Sequence, residues 1–379
     1  LPVGERLWDT ALLRLSDDTS VWYLCQHHLI TDGQSFAVAY RFMSQCYALA
    51  CEGRFNAAPG LPAYEDYLTY ERRARSGPAA SKASGYWREK LARPAAPTVF
   101  YGRCPDGRTA RTDRVVLDVG RGRSARLREI AGRPGYASLS EDLSLHTMWA
   151  TLLFTVLYRT TGQSSLRVGT PFLGRPTAAF RTTIGLFIEI GALDVQVGRD
   201  DAFETLATRV QRELLQGAIH ARPGVSSAEL NRSYDVLLNC VTSRFDAFAG
   251  HRVTTEWVHT GYGDRDHALR LQVSDFDGSG AFRLHFDVNV DVFGTTERRW
   301  LLEQFEAVLD RFIEDPCRGV GTFDLLTPDQ RRQLAAFNRT DAVYPREATV
   351  TDLFEAQVRA TPEQVAVQCG EQMRTYGQL

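Results

Sequence analysis

The stretch from Ser144 to Tyr158 is apolar on nearly every face. Leu145, Trp149, Leu152, Leu153 and Val156 recur at helical spacing, and Gly162 marks the stop. Such a helix is stable only inside a protein, so the rest of the chain must cover it. Strand-like segments lie to both sides: Val115-Val116-Leu117, Leu166-Arg167-Val168, Ile184 to Val197, Asp235 to Thr242, His267 to Phe276 and Phe282 to Val292. Helical patterns over Ser124 to Ala131, from Asp201 toward Ile219, and over Thr296 to Asp315 alternate with them. This interleaving predicts an α/β or α+β body rather than a bundle. Gly169 to Pro176 and Asp277 to Gly280 read as turns, and residues 57 to 62 and Ser76 to Ser84 as breaker-rich passages. Arg93 to Arg111 reads as a long surface loop.

Nearer the start, Ala11 to Leu15, the turn residues Asp17-Asp18-Thr19 and the β-formers from Val21 predict a hairpin. Phe36, Tyr40, Met43 and Tyr47 then recur at helical spacing, with Gly53 beyond. Gln26-His27-His28-Leu29-Ile30-Thr31-Asp32-Gly33 therefore sits where a strand gives way to a helix. On extended backbone the two imidazoles diverge, one toward the interior and one toward a cleft. A histidine near its ordinary pKa can take a proton from an amine or alcohol attacking a carbonyl and return it to the leaving group, which suggests acyl transfer. The same local pattern also fits a hydrogen-bonded structural cluster. Asp32, past the turn, is suited to fixing the loop by an ion pair or backbone hydrogen bonds, and Gly33 to letting the backbone turn tightly. His146 falls on the packed helix and reads as structural.

The 379 residues carry a net charge of -2 and no long basic block, so nothing points to nucleic acid or a membrane surface. No apolar run is long enough to span a bilayer and no signal-like leader is visible, so the expected location is the cytoplasm. Seven cysteines are scattered singly, without metal-binding spacing, and read as reduced packing residues; no metal is expected. Leu1 takes the place of an initiator methionine, which reads as a fragment of a longer protein.

His27-His28-Leu29-Ile30-Thr31-Asp32-Gly33 resembles the His-His-x-x-x-Asp-Gly signature of nonribosomal peptide synthetase condensation domains, within the chloramphenicol-acetyltransferase-like superfamily. Other segments resemble that family in the same order. They are Tyr64-Glu65-Asp66-Tyr67, Tyr86-Trp87 through Leu91, Gly169-Thr170-Pro171 with Gly174-Arg175-Pro176, Ile184 to Ile188, and Val288-Asn289-Val290-Asp291-Val292-Phe293. The resemblance implies a two-lobed chloramphenicol-acetyltransferase-like fold whose N-terminal lobe is incomplete here. It implies amide formation between a carrier-bound acyl or peptidyl thioester and a carrier-bound aminoacyl acceptor. His28 would be the catalytic imidazole, with His27, Asp32 and Gly33 in support and Asn289 and Asp291 as tunnel or interface candidates. Phosphopantetheine arms would arrive as substrates on upstream donor and downstream acceptor carrier domains; no cofactor-binding residue is assigned. His220-Ala221-Arg222-Pro223-Gly224 departs from the family's His-Gln-Asp-x-Pro-Phe stretch and lacks its acidic residue.

By the same resemblance, residues 1-112 are a remnant of the N-terminal lobe and 113-326 the C-terminal lobe. Residues 327-348 are a linker, with Thr327-Pro328-Asp329-Gln330 opening a helix, and 349-379 resemble the start of an adenylation domain, an adjacent partner. With part of a lobe absent and no positive partner assigned to Asp32, the piece is expected to be inactive alone. An epimerisation domain shares the His-His motif, and an inactive carrier-docking module would share the fold; both stay open.

Overall fold

The structure is a computed structural model that describes residues 4–57, 60–105, 107–245 and 247–379. It opens with an antiparallel hairpin, β1 (Trp8–Arg14) and β2 (Ser20–Gln26), in which Trp8 faces Gln26 and Arg14 faces Ser20. The hairpin leads into α1 (Gly33–Cys51), then α2 (Tyr64–Ala74) and α3 (Pro78–Leu91). The start of α3 corrects the expected break over Ser76 to Ser84. Pro78 lies in its first turn, where a missing N–H has no helical acceptor to lose, and the small residues after it continue the helix.

The next elements are β3 (Thr112–Asp118), α4 (Arg121–Ala131), α5 (Glu141–Thr161), β4 (Ser165–Phe172), the short α6 (Ala178–Arg181), β5 (Glu189–Gln196), α7 (Phe203–His220) and α8 (Ala228–Asn231). They are followed by β6 (Val236–Val241), a small hairpin of β7 (Ala247–Phe248) and β8 (His251–Arg252), then β9 (Leu269–Ser274), β10 (Arg283–Asn289) and α9 (Thr295–Glu314). Six strands form one mixed sheet in the order β3-β10-β9-β6-β4-β5. The pairs β4–β6 and β6–β9 are parallel, whereas β10 and β5 run the other way.

The apolar helix is α5, and it is the centre of the core. Met148, Trp149, Leu152, Leu153 and Val156 are all fully buried against α4, α7, α9 and the sheet. Three of its buried threonines are satisfied within the helix: Thr147, Thr151 and Thr155 each donate a hydroxyl proton to the carbonyl four residues back, at 2.8 to 2.9 Å. Ser140 caps its start, and Gly162, at φ 73°, closes it in the left-handed conformation.

Several boundaries differ from the sequence expectation; β5, for one, starts at Glu189 rather than at Ile184. Gly169 lies inside β4 rather than in a turn, because the Tyr234 ring covers it so closely that a Cβ would stand 2.3 Å from a ring carbon. Asp201, where the helical pattern is expected to open, does not cap α7, whose N-cap is Ala202; its carboxylate pairs instead with Arg209, nearly two turns into the helix.

The contacts resolve two units, one ending at Thr327 and a second spanning Pro328–Leu379. The second contains α10 (Pro328–Phe337), α11 (Val350–Ala360) and a hairpin of β11 (Val365–Cys369) with β12 (Gln372–Thr375). Thr349 and Asp352 cap α11 reciprocally. Among the described residues no helix is long and apolar enough to cross a membrane.

Candidate active site

Strand β2 ends at Gln26, and the chain turns at once. The His27 amide donates to the Leu7 carbonyl at 2.8 Å, and the Ile30 amide closes the turn onto the His27 carbonyl at 3.0 Å. The Leu29 amide donates to His27 Nδ1 at 3.1 Å, which places any ring proton of the neutral imidazole on Nε2. His27 is thus half-buried and tied to its own turn, whereas His28 is exposed at the turn, with no side-chain hydrogen bond among the described residues. The two rings part as alternation requires, though on turn rather than strand backbone.

Thr31 and Asp32 then plunge into the interior. Asp32 caps α1 by accepting from the Ser35 amide at 2.8 Å, and its other oxygen accepts from the Phe187 amide at 3.0 Å. Its remaining partner is Arg175, whose Nη2 donates to Oδ1 at 2.7 Å. The positive partner that the sequence left unassigned therefore lies within the chain, three residues beyond β4. Arg175 also donates to the Phe180 and Thr183 carbonyls, and its guanidinium lies 3.9 Å from the centre of the Phe187 ring.

Ser35 completes this network. Its hydroxyl donates to the Gly185 carbonyl at 2.6 Å and accepts from the Gly185 amide at 3.0 Å and from Arg175 at 2.6 Å. Helix α2 supports the same loop from outside: Tyr64 donates to the Leu186 carbonyl at 2.8 Å, and Tyr64, Tyr67, Phe180 and Phe187 form an aromatic cluster. Two glycines permit this packing. A Cβ on Gly185 would stand 2.1 Å from the Tyr64 ring, and one on Gly174 2.1 Å from the Phe187 carbonyl oxygen.

Gly33 does not act as expected. Its φ is not positive and open space surrounds its missing Cβ, so the turn depends on Asp32 capping rather than on glycine freedom. Its carbonyl accepts from Ser243 Oγ at 3.0 Å, just after β6. The β7–β8 hairpin, which the sequence did not reveal, packs beside it. Phe245 and Phe248 meet Tyr40 at 5.1 and 5.6 Å between ring centres, and Phe248 meets Trp22 at 5.8 Å. The His turn is thus clamped at the C-terminal ends of β4 and β6.

Asn289 and Asp291 lie elsewhere. Asn289 is buried; its amide side chain donates to the Thr109 carbonyl at 2.8 Å and accepts from the Asp291 amide at 3.0 Å. Asp291 accepts from the Thr109 amide and hydroxyl at 2.7 and 2.8 Å, and these bonds hold its carboxyl below the usual range. Because β10 opposes β9, both stand at the N-terminal ends of β6 and β9, about 20 Å of strand from the His turn. They are occupied in fastening the loop at Thr109, and the structure does not bring them to His28.

His220 is buried at the end of α7, stacked on Tyr86 at 4.1 Å, with Nδ1 2.9 Å from the Gln216 carbonyl. Trp87 donates its indole proton to the His220 carbonyl at 2.9 Å. His146 places Nε2 3.0 Å from Thr170 Oγ1, whose own proton is directed to the Leu238 carbonyl, so the imidazole is the donor. Burial lowers its pKa to about 4. Both histidines are structural, and the exposed imidazole beside a rigid, charge-neutralised turn is His28. Such a group can exchange a proton with a molecule entering from solvent.

Comparison with known proteins places this geometry. A linear gramicidin synthase chain from Brevibacillus parabrevis is 26% identical over 385 residues, covering 98% of this chain and 7% of that protein. Surfactin synthase subunit 1 from Bacillus subtilis is 25% identical over 389 residues, covering 98% and 10%. The chain thus spans a tenth or less of these relatives. Among solved structures, the first condensation domain of the calcium-dependent antibiotic synthetase superposes with a TM-score of 0.70 at 21% identity, over 85% of this chain and 70% of that one. A four-domain nonribosomal peptide synthetase bound to AMP and glycine also gives 0.70, at 15% identity, over 98% of this chain and 29% of that one. These neighbours carry the chloramphenicol-acetyltransferase-like fold expected from the sequence, a mixed α/β body around a central mixed sheet. The condensation-domain model matches residues 4–335, and the chain belongs to the condensation domains of nonribosomal peptide synthetases.

Proposed function

We propose that the domain joins two carrier-bound substrates by an amide bond, with His28 as the imidazole at the reaction centre. The observation that carries this reading is the contrast at one turn: His28 is open to solvent while His27 and Asp32 are held by hydrogen bonds. The acceptor amine attacks the donor thioester carbonyl, forming a C–N bond. Collapse of the tetrahedral intermediate breaks the C–S bond, and the amine proton passes by way of His28 to the departing thiolate, releasing a thiol. The phosphopantetheine arms of an upstream donor carrier and a downstream acceptor carrier present the two thioesters as substrates.

We read residues 349–379 as the opening of an adenylation domain adjoining this one. In support, the family match ends at residue 335, and the four-domain synthetase covers 98% of the chain where the single condensation domain covers 85%.

The test uses the full-length synthetase module containing this domain, with defined donor and acceptor carriers, and identifies the intact products by mass spectrometry. An amide-joined product on the acceptor carrier supports the reading. An acceptor whose α-carbon is inverted without joining indicates epimerisation instead. Carrier binding without any turnover indicates a docking module, the outcome to which the altered region at His220 would correspond.

A further inference from the structure

The sheet has a second concave end. The His turn docks where β4 and β6 finish, whereas the starts of β4, β6 and β9 border a separate cleft of about 320 Å³. We propose that this cleft binds a phosphate-bearing small molecule. Five arginines line it against two aspartates: Arg103, Arg108, Arg167, Arg232 and Arg265, with Asp235 and Asp266.

The arginines divide into two groups. Three are committed to the protein. Arg108 donates to Asp235 Oδ1 at 2.7 Å and to the Asp266 carbonyl at 2.9 Å; Arg167 holds Asp194 through two bonds of 2.6 and 3.0 Å; Arg103 lies 3.2 Å from Glu297. These bonds build the wall. Arg232 and Arg265 are exposed and, among the described residues, have no ion pair or side-chain hydrogen bond. Asp235 does not offset them, since its charge is paired with Arg108 and its second oxygen accepts from the Thr98 amide at 2.8 Å. The Asp266 carboxylate contributes the one opposing charge whose side chain has no described partner. Asp106 lies outside the described residues.

With the three committed arginines each paired to a carboxylate, the two unpaired guanidiniums outweigh the one unpaired carboxylate of Asp266, and together they can clasp a phosphate dianion. Their planar forks take carboxylate and phosphate oxygens alike, and a phosphate concentrates about twice the charge of a single carboxylate at one point. The volume is at the lower end of small-ligand sites, room for a pyrophosphate or a mononucleotide but not for a protein segment.

The inference does not depend on the condensation reading, because the two sites lie at opposite ends of the strands and the test reads binding alone. Titration calorimetry of the full chain with pyrophosphate, with AMP and with citrate compares the sources. Saturable binding of pyrophosphate or AMP, weaker binding of citrate, and at least a tenfold loss in the Arg232→Ala/Arg265→Ala double variant are expected. Pyrophosphate bound more tightly than AMP assigns the site to an inorganic oligophosphate; the reverse assigns it to a phosphate ester. Failure of both phosphates to bind, equal binding of citrate, or undiminished binding by the double variant overturns the proposal. Should the double variant not fold, Arg232→Gln and Arg265→Gln singly carry the same comparison, each with an expected severalfold loss.

Discussion

Arg175 donates to Asp32 at 2.7 Å across 143 residues of chain, with the two side chains only 3% and 0% exposed. Two charges so far from water are stable together and costly apart. The pair also makes the His turn dependent on the loop after β4, because one carboxylate caps α1, accepts from Phe187 and neutralises Arg175.

Removing one member should therefore destabilise the unit by about 3 to 5 kcal/mol. Arg175→Leu and Asp32→Leu, compared by denaturant unfolding, should each show this loss, and the double substitution should lose less than the two singles combined. Additive losses would mean that the charges do not compensate one another.

The neighbouring glycines give a steric test. Gly174→Ala places a methyl against the backbone oxygen of Phe187, an atom that cannot rotate away, so the loop must shift. A cost of about 1 to 3 kcal/mol is expected, as for an overfilled core. Gly33→Ala meets nothing within 4 Å at a helical first position and should leave the unfolding midpoint almost unchanged.

Much of this was legible in the sequence. The buried helix showed because its apolar residues outnumber what one amphipathic face needs, and the hairpin and α1 showed through simple periods of two and 3.6. The family-like segments at Tyr64, Arg175 and Ile184 could be recognised singly, but their meeting around Asp32 is a tertiary fact. Pairing Asp32 with Arg175 requires knowing where β4 ends. The β7–β8 hairpin was hidden for a different reason, its strands being two residues long, too short for any alternation to emerge. Asn289 and Asp291 alternate with apolar residues as cleft-lining groups would, and that pattern cannot say which end of the sheet they reach.

Those two residues make a third prediction. Asp291→Ala removes both bonds to Thr109, and Asn289→Ala removes the bond to the Thr109 carbonyl. Each should raise amide hydrogen exchange around residues 107 to 112 while leaving exchange at residues 27 to 36 unchanged. Increased exchange at the His turn would tie the two ends of the sheet together.

Acidification gives a fourth. Burial lowers His146 to about 4, and burial reinforced by the Arg114 charge lowers His285 to about 4, both from an ordinary value near 6.5. Between those values the unfolded chain binds more protons, so stability is full above pH 6.5 and falls as pH drops toward 4. Among the described residues neither ring nitrogen of His285 has a hydrogen-bond partner, so His285→Leu should flatten part of this fall without breaking a bond. Unfolding midpoints at pH 7 and pH 5 test it. An equal fall in wild type and variant would remove His285 from the account.

The most direct measurement of the central claim is the rate of amide formation by the full-length module with His28→Ala, assayed on loaded donor and acceptor carriers. His28 is exposed and makes no side-chain hydrogen bond among the described residues, so the variant should match the wild-type unfolding midpoint. Its rate should drop by about 10²-fold to 10⁴-fold, the range for loss of a positioned acid–base group. A folded His28→Ala module that forms the amide at the wild-type rate would contradict the assignment.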